Sequence, residues 1–550
     1  MKKSHPLRLI VFLLLLTAAG IAVFTKGFLF RDKKSEDRPL KIASENITGN
    51  FNPFFADSPG DLCVNNQTFM RIQRRGSDNK LTNSAGSISY EYSGEKVKYT
   101  VTIKKGLRFS DGSNVTIDDV IFFYYLCADA TYDGVFKDFY LNDIQGLKEY
   151  YYDDRDYKEA LKEIKSSSDE KKYIEKNYGD GISVKEISGI KRVDDYTCTV
   201  TYNSRNINSV SALNAFIVSK EFYSANYVKG AADTIKDFTT LSLGCGPYMI
   251  TDFDKGTNMT SLKKNKYFSE YDTGFSSLEI IDCVKTKTDP VKAVSSGKAD
   301  VAAVIADNEI MGTVTSKNLK YTVSDNDSYI SLFVNTARIP DEIVRRQIMK
   351  ACTVYDALDE RFGSFYTKVY LPLSVRFSEY PGANEPYFEG DPVKSIYEDT
   401  VGKLNLYCVG TEDSPEKTAA DDMARRLNES GINTAVTLCD YAGLKKAVKA
   451  GKADLWVMSV KDGATCDKYD YCHTGGRMNL TGLSDEAIDN LCERLRASTG
   501  FTDKKAVVSQ LLQAVMEQSV ELPVCQLEKV TVYNGDILTD DIVNSLYLNY

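Results

Sequence analysis

Two histidines, His5 and His473, are all the imidazole that this 550-residue chain carries. Catalysis of the Ser-His-Asp or Cys-His kind would rest on His473 alone, and no G-x-S-x-G motif lies near it. Neither H-E-x-x-H nor a His/Cys set with zinc spacing occurs, so metal-assisted hydrolysis has no ligands to build on. Gly244-Cys245-Gly246 is not a phosphate loop, because no G-K-[ST] follows and no glycine-rich turn opens a helix there. Paired carboxylates abound, but a solvated charged surface supplies those without any catalytic role. No enzyme is expected, and no catalytic residue, cofactor or metal. A formal charge of −9 without clustered Lys and Arg also excludes nucleic acid. Binding is the chemistry left. The chain has 35 tyrosines against one tryptophan, and a tyrosine ring packs while its hydroxyl hydrogen-bonds, which suits a polar cleft.

The elements that must hold such a cleft are clearest around Val97 to Leu126. Apolar residues alternate at Val97, Tyr99, Val101 and Ile103, the period of a half-buried strand. Ser110-Asp111-Gly112 supplies a turn. Thr116, with Asp119 three residues on, forms a capping box for a helix opening at Ile117, whose DVIFFYYL core is apolar on most sides. At 550 residues, two or three domains are expected. Asp143 to Gly181 reads as exposed, charge-paired helices. Lys292 to Val301 (KAVSSGKADV) is echoed at Lys446 to Leu455 (KAVKAGKADL), each a helix stopped by Gly before a buried strand, as two lobes sharing one α/β unit would require. From Leu404 the chain alternates strand and helix (LNLYCV, Ala419–Leu427, TAVTL, the Leu444 helix, DLWVMSV), which argues for a mainly parallel sheet. The twelve cysteines are scattered from Cys63 to Cys525 without C-x-x-C, and several, such as Cys198 and Cys408, sit inside apolar patterns. Buried free thiols are the reading we favour over a disulfide set.

Several of these strings together resemble family 5 of the extracellular solute-binding proteins, the peptide-binding receptors of ABC importers. Lys105-Gly106-Leu107-Arg108-Phe109-Ser110-Asp111-Gly112 and Thr116-Ile117-Asp118-Asp119-Val120 match its signature, approximately Y-x-F-x-L-R-x-G-V-x-F-x-D-G-x-P-x-T-A-x-D-V; Asn114-Val115 replaces the Pro-containing pair. Asn52-Pro53, the strand Ile190 to Tyr202, Gly244 to Tyr248 with Lys264 to Tyr267, Tyr329 to Ala351 and Glu521 to Val524 are similar to further landmarks. The resemblance spans about Leu40 to Tyr533.

It implies an α/β, two-lobed, periplasmic-binding-protein-like fold of the three-domain peptide-binding class (type II), preceded by an N-terminal transmembrane or signal helix. The implied domains are a membrane segment over 1–30, a linker over 31–38, domain I over 39–82 and 193–326, domain II over 83–192, domain III over 327–520, and a return to domain I over 521–550. Lys2, Lys3 and Arg8 precede an uncharged apolar run from Leu9 to Thr25. An uncleaved anchor is expected, with a cleaved signal peptide as the alternative. The first cysteine is Cys63, so a lipid anchor of the usual kind is not expected.

In peptide-binding relatives an acidic residue shortly after a Trp-bearing strand pairs with the peptide α-ammonium. Here Trp456 is followed by Asp462 and Asp467, without the usual D-Y-P-D-P pattern. Asp467 is the candidate, with Asp462 as alternate; Trp456 lines the cleft or belongs to the core. Asn52, Phe54, Phe55 and Tyr329 are positional candidates. The implied activity is capture of a peptide in an interlobe cleft by a monomeric receptor, attached to the membrane, that serves an ABC permease and ATPase. A membrane-anchored sensor, or a non-peptide solute such as an oligosaccharide or a metal chelate, is the alternative.

Overall fold

In the strand Lys96–Ile103, Val97, Tyr99, Val101 and Ile103 are buried while Lys96 and Lys98 are exposed, as the alternation requires. Gly112 closes the turn that follows at φ +98°, and a Cβ there would lie 2.7 Å from the Tyr267 ring, so only glycine fits. The helix Ile117–Cys127 opens on the expected box: the Thr116 N–H donates to Asp119 Oδ2 at 2.8 Å. Asp119 Oδ1 also accepts the Lys220 N–H at 2.8 Å, which ties this helix start to a distant segment.

The computed structural model describes residues 38–75, 81–164, 166–225, 227–240, 242–271, 274–324, 326, 328–353, 355–382, 385–393, 403–546 and 548. The expected membrane segment and most of the linker lie outside them. Among the described residues, no helix is long and apolar enough to cross a membrane.

Three large sheets organise these residues, beside a two-stranded pair of Gln73–Arg75 with Leu81–Asn83. A four-stranded antiparallel sheet runs Gly86–Ser93, Lys96–Ile103, Thr197–Tyr202, Ile190–Asp194. A seven-stranded mixed sheet runs Lys320–Ser324, Lys529–Tyr533, Val301–Ile305, Leu40–Ser44, Ser277–Asp282, Met259–Lys264, Tyr248–Asp254. A six-stranded sheet runs Tyr366–Lys368, Glu521–Leu527, Ser328–Val334, Leu455–Lys461, Lys403–Val409, Asn433–Cys439. In the last, Lys403–Val409 pairs in parallel with both Asn433–Cys439 and Leu455–Lys461, the arrangement that strand–helix alternation implies.

Pairing assigns two strands to particular sheets. Thr197–Tyr202 pairs with Lys96–Ile103, so it belongs to the second domain's sheet rather than to the resumption of the first. Glu521–Leu527 pairs with Ser328–Val334, so the chain returns to the first sheet only at Glu528. The six-stranded lobe is thus joined to the seven-stranded sheet at two places, between Ser324 and Ser328 and at Glu528, and Ser324 pairs directly with Lys529.

The echoed segments build one device twice. Asp300 immediately precedes one strand and Asp454 the other; each accepts the N–H of the neighbouring parallel strand, Lys41 and Asn405, both at 2.9 Å. Each also pairs at 2.9 Å with an arginine, Arg38 and Arg338. All twelve cysteines are free, and all but Cys439 are buried.

Candidate functional site

The two lobes meet around the loop that follows Leu455–Lys461, at the carboxyl end of a parallel strand, where open α/β sheets hold their ligands. Lys461, Asp462 and Gly463 line two cavities, of 640 and 370 Å³. The larger is closed on the facing lobe by Asp138, Asn142 and Asn208, the smaller by Phe69, Arg71 and Phe216.

Beneath this loop lies a buried charge network. Lys468, whose side chain is 1% exposed, donates from Nζ to Asp462 Oδ1 and to the Tyr329 hydroxyl, each at 3.0 Å. The Tyr329 hydroxyl in turn donates to Glu521 Oε1 at 3.0 Å, and Ser331 Oγ donates to the same oxygen at 2.9 Å. Burial opposes the Lys468 charge, but Asp462 and Glu521 outweigh it and hold the ammonium above its usual range. Burial pushes Glu521 up, and the Lys468 charge with the two hydroxyl donors offsets only part of that. The other Asp462 oxygen accepts the Ser374 N–H at 2.6 Å. Each Asp462 oxygen thus accepts one bond from within its own lobe.

Asp467 sits nearer the cleft. Its Oδ2 accepts from Arg496 Nε at 2.9 Å and, across the lobes, from Asn208 Nδ2 at 2.6 Å; its Oδ1 accepts the Tyr469 N–H at 3.1 Å. A carboxylate has about four acceptor positions, so capacity is left on Oδ1. Further bonds join the lobes here: Ile207 N–H to the Arg496 carbonyl at 2.9 Å, and an Arg477–Asp138 pair at 2.6 Å.

The remaining sequence candidates do not gather at this cleft. Trp456 is 1% exposed and stacks on Phe333, 5.8 Å between centroids, so it occupies a core position. Tyr329 is buried, with its hydroxyl bonded to Lys468 and Glu521. Phe54 is fully buried against Phe123 at 5.4 Å, and Phe55 packs on Tyr132. Asn52 is a buried turn residue: it donates to the Ile235 carbonyl at 2.6 Å and accepts the Phe54 N–H at 3.1 Å. Asn52, Phe54 and Phe55 line neither cavity. Sequence reasoning missed Lys468, Glu521, Asn208 and Arg71. Only Arg71 left a visible trace, in the basic run Arg71 to Arg75.

The description of bacterial extracellular solute-binding proteins, family 5, matches residues 86–474. The chain belongs to that family. Members are solute-binding receptors that work with ABC permeases and ATPases, and the described lobes are the extracytoplasmic solute-binding part. Solved structures share the fold. The oligopeptide-binding protein AppA of Bacillus subtilis, in complex with a nonapeptide, aligns over 93% of this chain and 98% of its own, with a TM-score of 0.69 and 16% identity. DppA of Helicobacter pylori with the peptide STSA aligns over 92% and 95%, with a TM-score of 0.66 and 16% identity. NikZ of Campylobacter jejuni, in complex with Ni(L-His), aligns over 90% and 94%, with a TM-score of 0.64 and 14% identity. No curated sequence matches the chain.

Proposed function

We propose that this family 5 receptor captures peptides between its lobes for import. The observation that carries the reading is the pair of cavities flanking Lys461 to Gly463, which both lobes wall and whose volumes suit an extended ligand with distinct ends. Closure of one lobe on the other over a bound ligand supplies the mechanism, because interlobe bonds such as Asn208 to Asp467 form only when the lobes meet. Asp467 is the carboxylate we propose for the peptide α-ammonium, since it faces the larger cavity and keeps acceptor capacity.

The test is native mass spectrometry of the full-length protein, purified gently in mild detergent and then denatured to release bound solute. Co-purified peptides are the expected result, and a sugar or chelate mass would retire the peptide reading. Asp467→Asn should weaken peptides with a free N-terminus about tenfold while leaving N-acetylated ones unchanged; equal losses for both would remove Asp467 from that role.

A further inference from the structure

Beside the larger cavity, three side chains stand in a row. The imidazole of His473 lies almost parallel to the Tyr469 ring, with 4.0 Å between centroids and 14° between planes. The Arg496 guanidinium sits 3.7 Å over the same ring. Two flat groups that close to one centroid cannot share a face, so Tyr469 is held between them. Arg496 is this lobe's half of the interlobe latch. Its Nε donates to Asp467 Oδ2, which also takes Asn208 Nδ2 from the facing lobe, and its carbonyl accepts the Ile207 N–H. The row therefore ends on the bonds that close the cleft.

His473 is the one histidine among the described residues, and its side chain is 14% exposed, so protons can reach it. Its Nδ1 accepts the Gly475 N–H at 2.9 Å, which fixes the neutral tautomer with the proton on Nε2. Two carboxylates of the helix Glu486–Ala497 stand just beyond hydrogen-bond reach: Asp489 Oδ1 is 3.9 Å from Nδ1, and Glu493 Oε1 is 3.8 Å from Nε2. On the same helix, burial pushes the Cys492 thiol up to about 12, so it stays neutral. On the near side, Asp470 is paired with Arg477 at 2.7 Å.

We infer that His473 is a positioning residue for the interlobe latch, seated against Tyr469 when neutral and withdrawn from it when protonated. A proton on Nδ1 turns that acceptor into a donor, so the Gly475 N–H loses its partner. It also places a second cation across the Tyr469 ring from Arg496, while Asp489 and Glu493 offer the imidazolium two nearby anions. The imidazolium moves toward that helix, and Arg496 loses the backing that aims it at Asp467. An imidazole ordinarily titrates between about pH 5 and 8. Closure of the lobes thus releases a proton, and the cleft opens more readily in acid. The inference rests on lobe closure as the means of capture, and not on the solute being a peptide.

Hydrogen–deuterium exchange of the full-length protein, in mild detergent and dialysed free of solute, reads the latch at the Ile207 N–H. Peptides covering that amide are compared at pH 8 and at about pH 5.5, where ordinary carboxylates remain charged. The reference is His473→Phe, which keeps the stack and takes no proton; comparison at equal pH cancels the intrinsic pH dependence of exchange. One linked proton shifts an equilibrium by at most about tenfold per pH unit. The unmodified protein should match His473→Phe at pH 8 and exchange about threefold or more faster at the lower pH. His473→Arg, charged at both, should exchange fast at both. If His473→Phe proves misfolded by circular dichroism, His473→Asn decides, since its side-chain oxygen still accepts an N–H and takes no proton. The same pH response in the unmodified protein and the uncharged variant overturns the inference. So does His473→Arg protected like the unmodified protein at pH 8. Neither result touches the peptide reading, which the co-purified solute decides separately.

Discussion

Lys468 holds a position that only its partners justify. It is buried between Asp462 and Glu521, and its loss would leave two carboxylates without a cation in a medium that penalises each. Lys468→Met should destabilise the protein by about 3–5 kcal/mol, measured by urea unfolding; a loss below about 1 kcal/mol would mean the carboxylates reach water. Glu521 adds a pH dependence. Because burial raises its pKa above the ordinary 4.5, the folded chain holds a proton there that the unfolded chain has released. This contribution is fully present below about 4.5 and is lost as pH rises through the folded value. Melting temperatures across that window should fall less with pH in Glu521→Gln than in the unmodified protein, and identical slopes would exclude Glu521 as the titrating group. None of this was readable locally. Lys468 meets Tyr329 across 139 positions, and Asp467 meets Asn208 across 259, so no spacing rule connects them. The burial of Tyr329 was hidden for a related reason: it lies on a strand buried on both faces, where period-2 alternation disappears.

Elements, by contrast, were largely legible. The strand from Val97, the capped helix from Ile117 and the parallel alternation after Leu404 follow from periodicity and capping chemistry, and each forms within a residue or a few of its expected bounds. The echoed segments were legible as a repeat, but their shared chemistry was not, since the acceptor role of the aspartate depends on the neighbouring strand. If Asp300 and Asp454 are one device used twice, Asp300→Ala and Asp454→Ala should each cost about 1–3 kcal/mol, by leaving the Lys41 and Asn405 N–H groups unmatched. Chemical denaturation of each variant checks this. Markedly unequal costs would show that the sequence echo outlived its purpose in one lobe.

At the scale of the molecule, the lobes and their order came from family resemblance, whereas the boundaries came from pairing. A strand's allegiance is set by the partner it bonds, and no composition shift marks Thr197 or Glu521 as belonging to one sheet or another. The free thiols show the same dependence on context. Eleven cysteines fill core volume as small apolar groups, so their number says nothing about cross-links.

The pairing of Ser324 with Lys529 makes the whole six-stranded lobe, in topological terms, the tip of a β-hairpin. Everything between those two residues is cargo spliced into a turn, and a turn is where a chain tolerates replacement. Joining Ser324 to Lys529 through Asn-Gly, a pair suited to a tight hairpin, should leave a remainder that folds with a cooperative thermal transition by circular dichroism. A molten product would mean that the seven-stranded sheet leans on its passenger. Success would make the receptor a cassette, in which one half of the binding surface can be exchanged without redesigning the frame that carries the other.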